Sequence, residues 1–144
     1  MEEKLRLVKI LMVGLLAAAF STVMGQQPGV QFETLTQTTK AWDGTPYKAF
    51  PTGQPEITVL KVTLAPHTTM KWHEHPMPNA AYVLSGEITA ETKDGAKKHF
   101  TTGQVIPETV DIVHRGVTAD EPVVLIVFYA GTPGMPLSKA ADGK

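Results

Sequence analysis

The chain has 144 residues, of which 42% are hydrophobic and 19% charged, enough for one domain with a single core. Its 13 Lys+Arg and 14 Asp+Glu give a formal net charge of −1, so no positive field is available to attract a nucleic acid. The absence of cysteine excludes disulfides, thiol nucleophiles, zinc ribbons and iron–sulfur clusters. Any bound metal must therefore be held by nitrogen or oxygen atoms.

Residues 1–25 have the pattern of a secretory signal peptide. A short basic region precedes an uncharged run from Ile10 to Phe20, and small residues follow up to Gly25. This order predicts export and cleavage before Gln26. The alternative is an uncleaved N-terminal anchor, but a transmembrane span needs about 20 apolar residues, more than this run provides. We expect a periplasmic or secreted protein with no stable membrane span after signal removal.

The rest of the chain predicts an all-β fold. Residues 26–55 are polar and rich in turn-forming residues, and we expect them to form an N-terminal extension that packs on the core. In the run Ile57–Leu64, apolar and polar residues alternate with the period of a half-buried strand. Similar short runs are Thr69–His75, Ala80–Leu84, Glu87–Thr92, Lys97–Thr101, Gln104–Ile106, Asp111–Val117 and Val123–Tyr129. Many short strands predict a closed barrel or a sandwich over residues 56–130, followed by a C-terminal tail at residues 131–144.

Three of the five histidines are candidate metal ligands. His73 and His75 lie two residues apart in one predicted strand, so both imidazoles leave the same face. His114 lies in another predicted strand, and two nitrogens from one strand with a third from another can chelate a metal. The alternative is a metal-free barrel with three hydrogen-bonded histidines. Of the others, His67 is expected to be structural and His99 to be exposed.

Two stretches resemble the motifs of the cupin family of small β-barrel proteins. The first family motif runs Gly, five residues, His-x-His, three or four residues, Glu, six residues, Gly. The stretch from His67 to Gly86 has this spacing, with Asn79 at the Glu position. The second motif places a His eleven positions after a Gly, as Gly103 and His114 are placed here. The resemblance implies a single cupin β-barrel, also called a double-stranded β-helix or jelly roll.

The resemblance also implies one divalent transition metal (Fe, Mn, Ni, Cu or Zn) on His73, His75 and His114. Because Asn offers only a neutral carbonyl oxygen, Asn79 is expected to be a weak fourth ligand, or a residue that hydrogen-bonds to a ligand without binding the metal itself. Other departures from the family pattern are His67 at the opening Gly and, in the second motif, Thr109 and Asp111 in place of a Pro and a Gly.

The resemblance further implies a small-molecule pocket in the mouth of the barrel. Glu108, Tyr47 and Arg115 are candidate pocket residues, although for Glu108 a surface position is the favoured interpretation. No catalytic residue can be assigned. We expect a metal-dependent enzyme with oxygenase-like or lyase-like chemistry; the alternative is a non-enzymatic cupin that binds a small molecule or a metal. Cupins commonly pair through an outer sheet, which implies a homodimer.

Overall fold

The computed structural model describes residues 28–141, so the predicted signal segment lies outside the described part. The chain divides into a unit that ends at Glu33 and a unit that begins at Thr34. Residues 28–33, the described part of the first unit, contain no strand or helix. The strands all belong to the second unit. No helix within residues 28–141 is long and apolar enough to cross a membrane.

The strands of the second unit are β1 (Glu56–Leu64), β2 (His73–Glu74), β3 (Asn79–Ser85), β4 (Glu87–Thr92), β5 (Lys97–Thr101), β6 (Val105–Pro107), β7 (His114–Thr118), β8 (Val123–Gly131) and β9 (Lys139–Ala140). They form two sheets, in the orders β1-β8-β3-β6 and β5-β4-β7-β2-β9. All neighbouring strands are antiparallel. The all-β prediction is therefore confirmed, and the architecture is a two-sheet jelly roll.

The core lies between the two sheets and follows the alternation of the strands. Every second residue of β8 from Val123 to Tyr129 is buried, and Ala81 and Val83 of β3 pack beside them. The second sheet contributes Ile88 and other apolar residues of β4 and β5. Each buried aliphatic side chain of this kind stabilises the fold by about 1.5–3 kcal/mol.

Two positions where the chain departs from the family's glycines keep a backbone typical of glycine. His67 has φ 54° and Asp111 has φ 55°, both in the left-handed region. His and Asp adopt this region more readily than most residues, so both loops can keep the backbone conformation that a glycine would allow. Gly86, which the chain retains, has φ 80°, and a Cβ there would collide with the Pro122 carbonyl oxygen.

Three elements differ from the strands predicted by sequence alone. The run Thr69–His75 contains only the two-residue β2, with isolated bridges at Thr69 and His75. Strand β7 begins at His114, after the left-handed Asp111. Strand β9 was not predicted: it pairs with β2 and is too short to show any periodicity.

Candidate metal centre

The fold brings the three predicted histidines together on the inner face of the barrel. His73 on β2 lies directly opposite His114 on β7, and His75 follows β2 and bridges to Val110. The ring centroids are 4.6–5.1 Å apart, and one ligand atom from each histidine lies within 4.8 Å of the others. The three imidazoles thus face a common point.

Hydrogen bonds on the outer nitrogens fix the orientation of all three rings. Nδ1 of His73 contacts the Lys71 carbonyl at 2.8 Å, and Nδ1 of His75 contacts the Leu137 carbonyl at 2.7 Å. Nδ1 of His114 contacts the Ile112 carbonyl at 2.9 Å and the Thr109 hydroxyl at 2.8 Å. Because a carbonyl can only accept, each Nδ1 carries a proton, and in the neutral ring each Nε2 presents a lone pair. This is the arrangement that metal-binding histidines require.

Burial sets the charge of these rings. It lowers the pKa of His73 and His75, so both are neutral at pH 7 and their lone pairs are free. Burial also acts to lower the pKa of His114, but contact with the Glu108 carboxylate outweighs it and raises that pKa. His114 is therefore the ring most strongly coupled to a negative charge.

Glu108 is not on the surface, and the interpretation favoured by sequence alone was wrong. Its side chain is 13% exposed and faces the histidines, with Oε2 3.2 Å from His114 Nε2. Burial acts to raise the pKa of Glu108, but the three histidines, His114 foremost, lower it, so the carboxylate is ionised. Its position follows from the pairing of β6 with β3, and that register is not visible in the sequence.

The other candidate pocket residues lie around the site and not within it. Asn79 is buried and does not line the cavity; its amide nitrogen donates to the Met77 carbonyl at 3.2 Å, and its Oδ1 has no hydrogen-bond partner within residues 28–141. The Tyr47 hydroxyl donates to the Glu108 backbone carbonyl at 2.8 Å. Arg115 borders the cavity, but its guanidinium pairs with Glu91 and lies over Trp72.

A small cavity lies in front of the histidines. Its volume is about 70 Å³, and besides the three histidines it is lined by Glu108, Tyr129 and apolar core residues. Tyr129 packs against His75 with ring centroids 5.6 Å apart. Burial, with a smaller contribution from Glu108, raises the pKa of Tyr129 to about 12, so the phenol keeps its proton. Tyr129 was not among the site residues predicted from the sequence, because an aromatic residue in a predicted strand does not distinguish a pocket position from a core position.

Comparison with known proteins agrees with the motifs. A family model described as a cupin domain matches residues 60–129. Residues 60–129 thus resemble a cupin domain, as the two motifs predicted. No curated protein matches the sequence significantly.

Solved structures show that the chain shares its fold with proteins of several functions. The DMSP lyase DddQ from Ruegeria pomeroyi is 16% identical over 70% of this chain and 49% of that one, with a TM-score of 0.55. The polyketide cyclase RemF from Streptomyces resistomycificus is 18% identical over 61% and 62% of the two chains, with a TM-score of 0.53. An uncharacterized double-stranded β-helix protein from Klebsiella pneumoniae is 17% identical over 83% and 98%, with a TM-score of 0.53.

These likenesses establish the fold alone, because the identities are all low. The chain covers 44% and 49% of the two DMSP lyase chains that it matches, about half their length. The function must therefore be argued from the site.

The donor set of the site fits a first-row divalent metal. Imidazole nitrogens suit Zn, Cu, Fe and Ni, and a carboxylate oxygen extends the range to Mn. His114 Nε2 is buried and, among the described residues, has no hydrogen-bond partner. A buried nitrogen in this state costs stability unless it binds something, and a metal ion is a ligand that three convergent lone pairs accept.

Proposed function

We propose that this protein holds one divalent transition metal on His73, His75 and His114 and acts on a small organic molecule, with lyase-like or oxygenase-like chemistry. The observation that carries the proposal is the convergence of three imidazoles whose Nδ1 atoms are all hydrogen-bonded behind them. Such a metal supplies a Lewis acid or a redox centre at the floor of the cavity.

The protein's own residues define what can reach this floor. The cavity has a volume of about 70 Å³, well below the roughly 300–1,000 Å³ of pockets that enclose a whole drug-sized ligand. A substrate would therefore place only a small group, such as a carboxylate, beside the histidines. The protonated Tyr129 hydroxyl supplies a hydrogen-bond donor for that group, and the aliphatic walls exclude bulk water.

The activity can be tested with a panel of small carboxylic acids and sulfonium compounds. The DMSP lyase and polyketide cyclase with the same fold support the inclusion of elimination and cyclisation substrates. Product formation and oxygen uptake are measured for metal-loaded wild type and for His75→Ala. We expect turnover in the wild type and none in the variant. Saturable binding without consumption of any compound would favour the non-enzymatic alternative.

Export and cleavage are proposed from the N-terminal pattern of residues 1–25. Fractionation of the native host, followed by mass spectrometry of the intact protein, tests both. We expect a chain that begins at Gln26 in the periplasm or the medium. A full-length chain in the membrane fraction would instead support the uncleaved anchor.

A homodimer is proposed from the outer face of the sheet that contains β1 and β8. Ile57, Val59 and Phe128 are 68%, 57% and 42% exposed, and Val59 lies directly opposite Phe128 across the two strands. A second copy packing on this face would cover these apolar side chains. Sedimentation of wild type and Val59→Lys tests this proposal. We expect the wild type to be a dimer and Val59→Lys to be a monomer. A monomeric wild type at high concentration would contradict the proposal.

A further inference from the structure

Glu108 is a buried acidic group that faces the cavity of the candidate metal centre. It follows β6 directly, and its side chain is 13% exposed. An isolated carboxylate in such a place is strongly disfavoured unless a positive charge compensates it. The carboxylate of Glu108 therefore requires a positively charged partner at the cavity.

The atom that Glu108 faces carries no proton when the His114 ring is neutral. Oε2 of Glu108 lies 3.2 Å from Nε2 of His114, and the proton of the neutral ring is on Nδ1, against the Ile112 carbonyl. Oε2 and Nε2 are both buried, and within residues 28–141 neither has a hydrogen-bond partner. Two lone pairs at this distance repel each other unless a proton or a metal ion lies between them.

The spacing of these two atoms matches a shared metal ion. Two ligands with metal bonds of about 2.0–2.2 Å are separated by roughly 3.0–3.5 Å when they bind neighbouring positions of one ion. The observed separation of 3.2 Å falls within this range.

The position of Glu108 also accounts for the missing family carboxylate. The Glu108 backbone N–H donates to the Asn79 carbonyl at 3.0 Å, so the two residues are neighbours across β3 and β6. A carboxylate at 108 reaches the end of the barrel where the family has its carboxylate at the position of Asn79. The Tyr47 hydroxyl, bonded to the Glu108 carbonyl at 2.8 Å, anchors the backbone behind it.

We propose that Glu108 is the fourth protein ligand of the metal, an anionic oxygen donor moved from β3 to the neighbouring chain segment that follows β6. This inference rests on the proposed three-histidine metal site and adds a ligand to it. With Glu108 bound, a divalent ion keeps one net positive charge where three imidazoles alone would leave two. The centre therefore binds its metal more tightly and polarises a bound group less.

The test compares three variants by metal affinity and by spectroscopy. Isothermal titration with Zn²⁺ is run on wild type, Glu108→Gln, Glu108→Asp and Glu74→Gln, and electron paramagnetic resonance is recorded with Cu²⁺. Glu74 lies between His73 and His75 in sequence and points to the other face, so its variant is matched in charge and leaves the cavity unchanged. Circular dichroism of the metal-free proteins checks that all are folded.

We expect the dissociation constant for Zn²⁺ to rise at least 10–100-fold in Glu108→Gln, and to stay within about twofold in Glu74→Gln. Glu108→Asp keeps the charge but shortens the side chain, so it should also bind more weakly, and the copper hyperfine splitting should change in both Glu108 variants. An unchanged affinity in Glu108→Gln would overturn the inference and leave the three-histidine site standing. A full affinity in Glu108→Asp would show that charge, and not ligation, is what matters. A wild type that binds no metal would overturn the site and the inference together.

Discussion

The polar groups on the two faces of β7 differ in whether they have hydrogen-bond and ion-pair partners. On the inner face, His114 Nε2 and the nearby Glu108 Oε2 have no hydrogen-bond partner in the described part of the chain. On the outer face, Arg115 donates to one oxygen of Glu91, and Lys97 approaches the other oxygen at 2.8 Å. The guanidinium of Arg115 also lies 4.1 Å from the centre of the Trp72 ring.

This difference in pairing indicates that the outer cluster serves stability and the inner cluster serves metal binding. The outer cluster has its charges paired, so it adds to the stability of the sheet. An unpaired buried polar atom costs about 1–3 kcal/mol, so the inner cluster lowers the stability of the metal-free protein. Inner substitutions should therefore weaken metal binding, and outer substitutions should lower stability with little effect on metal binding.

The largest effect is expected from His114→Ala, compared with Arg115→Ala one residue further along the same strand. Loss of one imidazole should weaken Zn²⁺ binding by more than about 100-fold, a larger effect than that of groups behind the ligands. Arg115→Ala should melt at a lower temperature than the wild type and keep its affinity for Zn²⁺. Calorimetric titration and thermal unfolding measure both. Equal affinity in the two variants would contradict the account.

A smaller effect is expected from Thr109→Val. The fully buried Thr109 hydroxyl contacts Nδ1 of His114 at 2.8 Å, and its removal should weaken Zn²⁺ binding about 10-fold by loosening the ring. Thr89→Val is the matched control, because Thr89 contacts Nδ1 of the exposed His99 at 3.2 Å on the outer face. Both proteins are titrated with Zn²⁺. The comparison fails if the two variants bind equally well.

On the outer face, Glu91→Gln should lower the melting temperature by about 4 °C with no change in metal affinity. The carboxylate is well buried, but Lys97 is 63% exposed, so solvent screening limits the loss to about 1 kcal/mol. Glu87→Gln, which removes a half-exposed carboxylate 3.3 Å from His99, should shift the melting temperature by less. Scanning calorimetry compares the three proteins, and equal shifts in the two variants would argue against a special role for the outer cluster.

The smallest effect is a pH dependence of the difference in melting temperature between wild type and Glu91→Gln. Hydrogen bonds from Lys97, and then from Arg115, lower the pKa of Glu91 below its ordinary value of 4.5. The unfolded chain therefore takes up the proton first as the pH falls, and the stability from Glu91, complete above 4.5, is lost through the lowered pKa. The gap in melting temperature between wild type and Glu91→Gln should close on acidification. A gap that is constant down to about pH 3 would contradict this assignment.

The sequence predicted the features that depend on local spacing. His73 and His75 share a face because side chains alternate along an extended segment, and His114 was identified by its distance from Gly103. Glu108 was misplaced because its burial depends on the register between β3 and β6, which the sequence does not specify.

The anchoring of His75 shows the same limit. Its Nδ1 is held by the carbonyl of Leu137, 62 residues further along the chain in the predicted C-terminal tail. No local pattern links the two positions, because the contact forms only when β9 pairs with β2. Features set by local spacing could be predicted from the sequence, whereas contacts that depend on the pairing of distant strands could not.

Anomalous X-ray diffraction from crystals of the metal-loaded protein tests the central claim most directly. Data collected on both sides of the absorption edge of the added metal locate the ion without assumptions about the ligands. We predict a single strong peak at bonding distance from Nε2 of His73, His75 and His114. A protein that shows no peak with any divalent metal supplied, or a peak only at surface groups, would contradict the account.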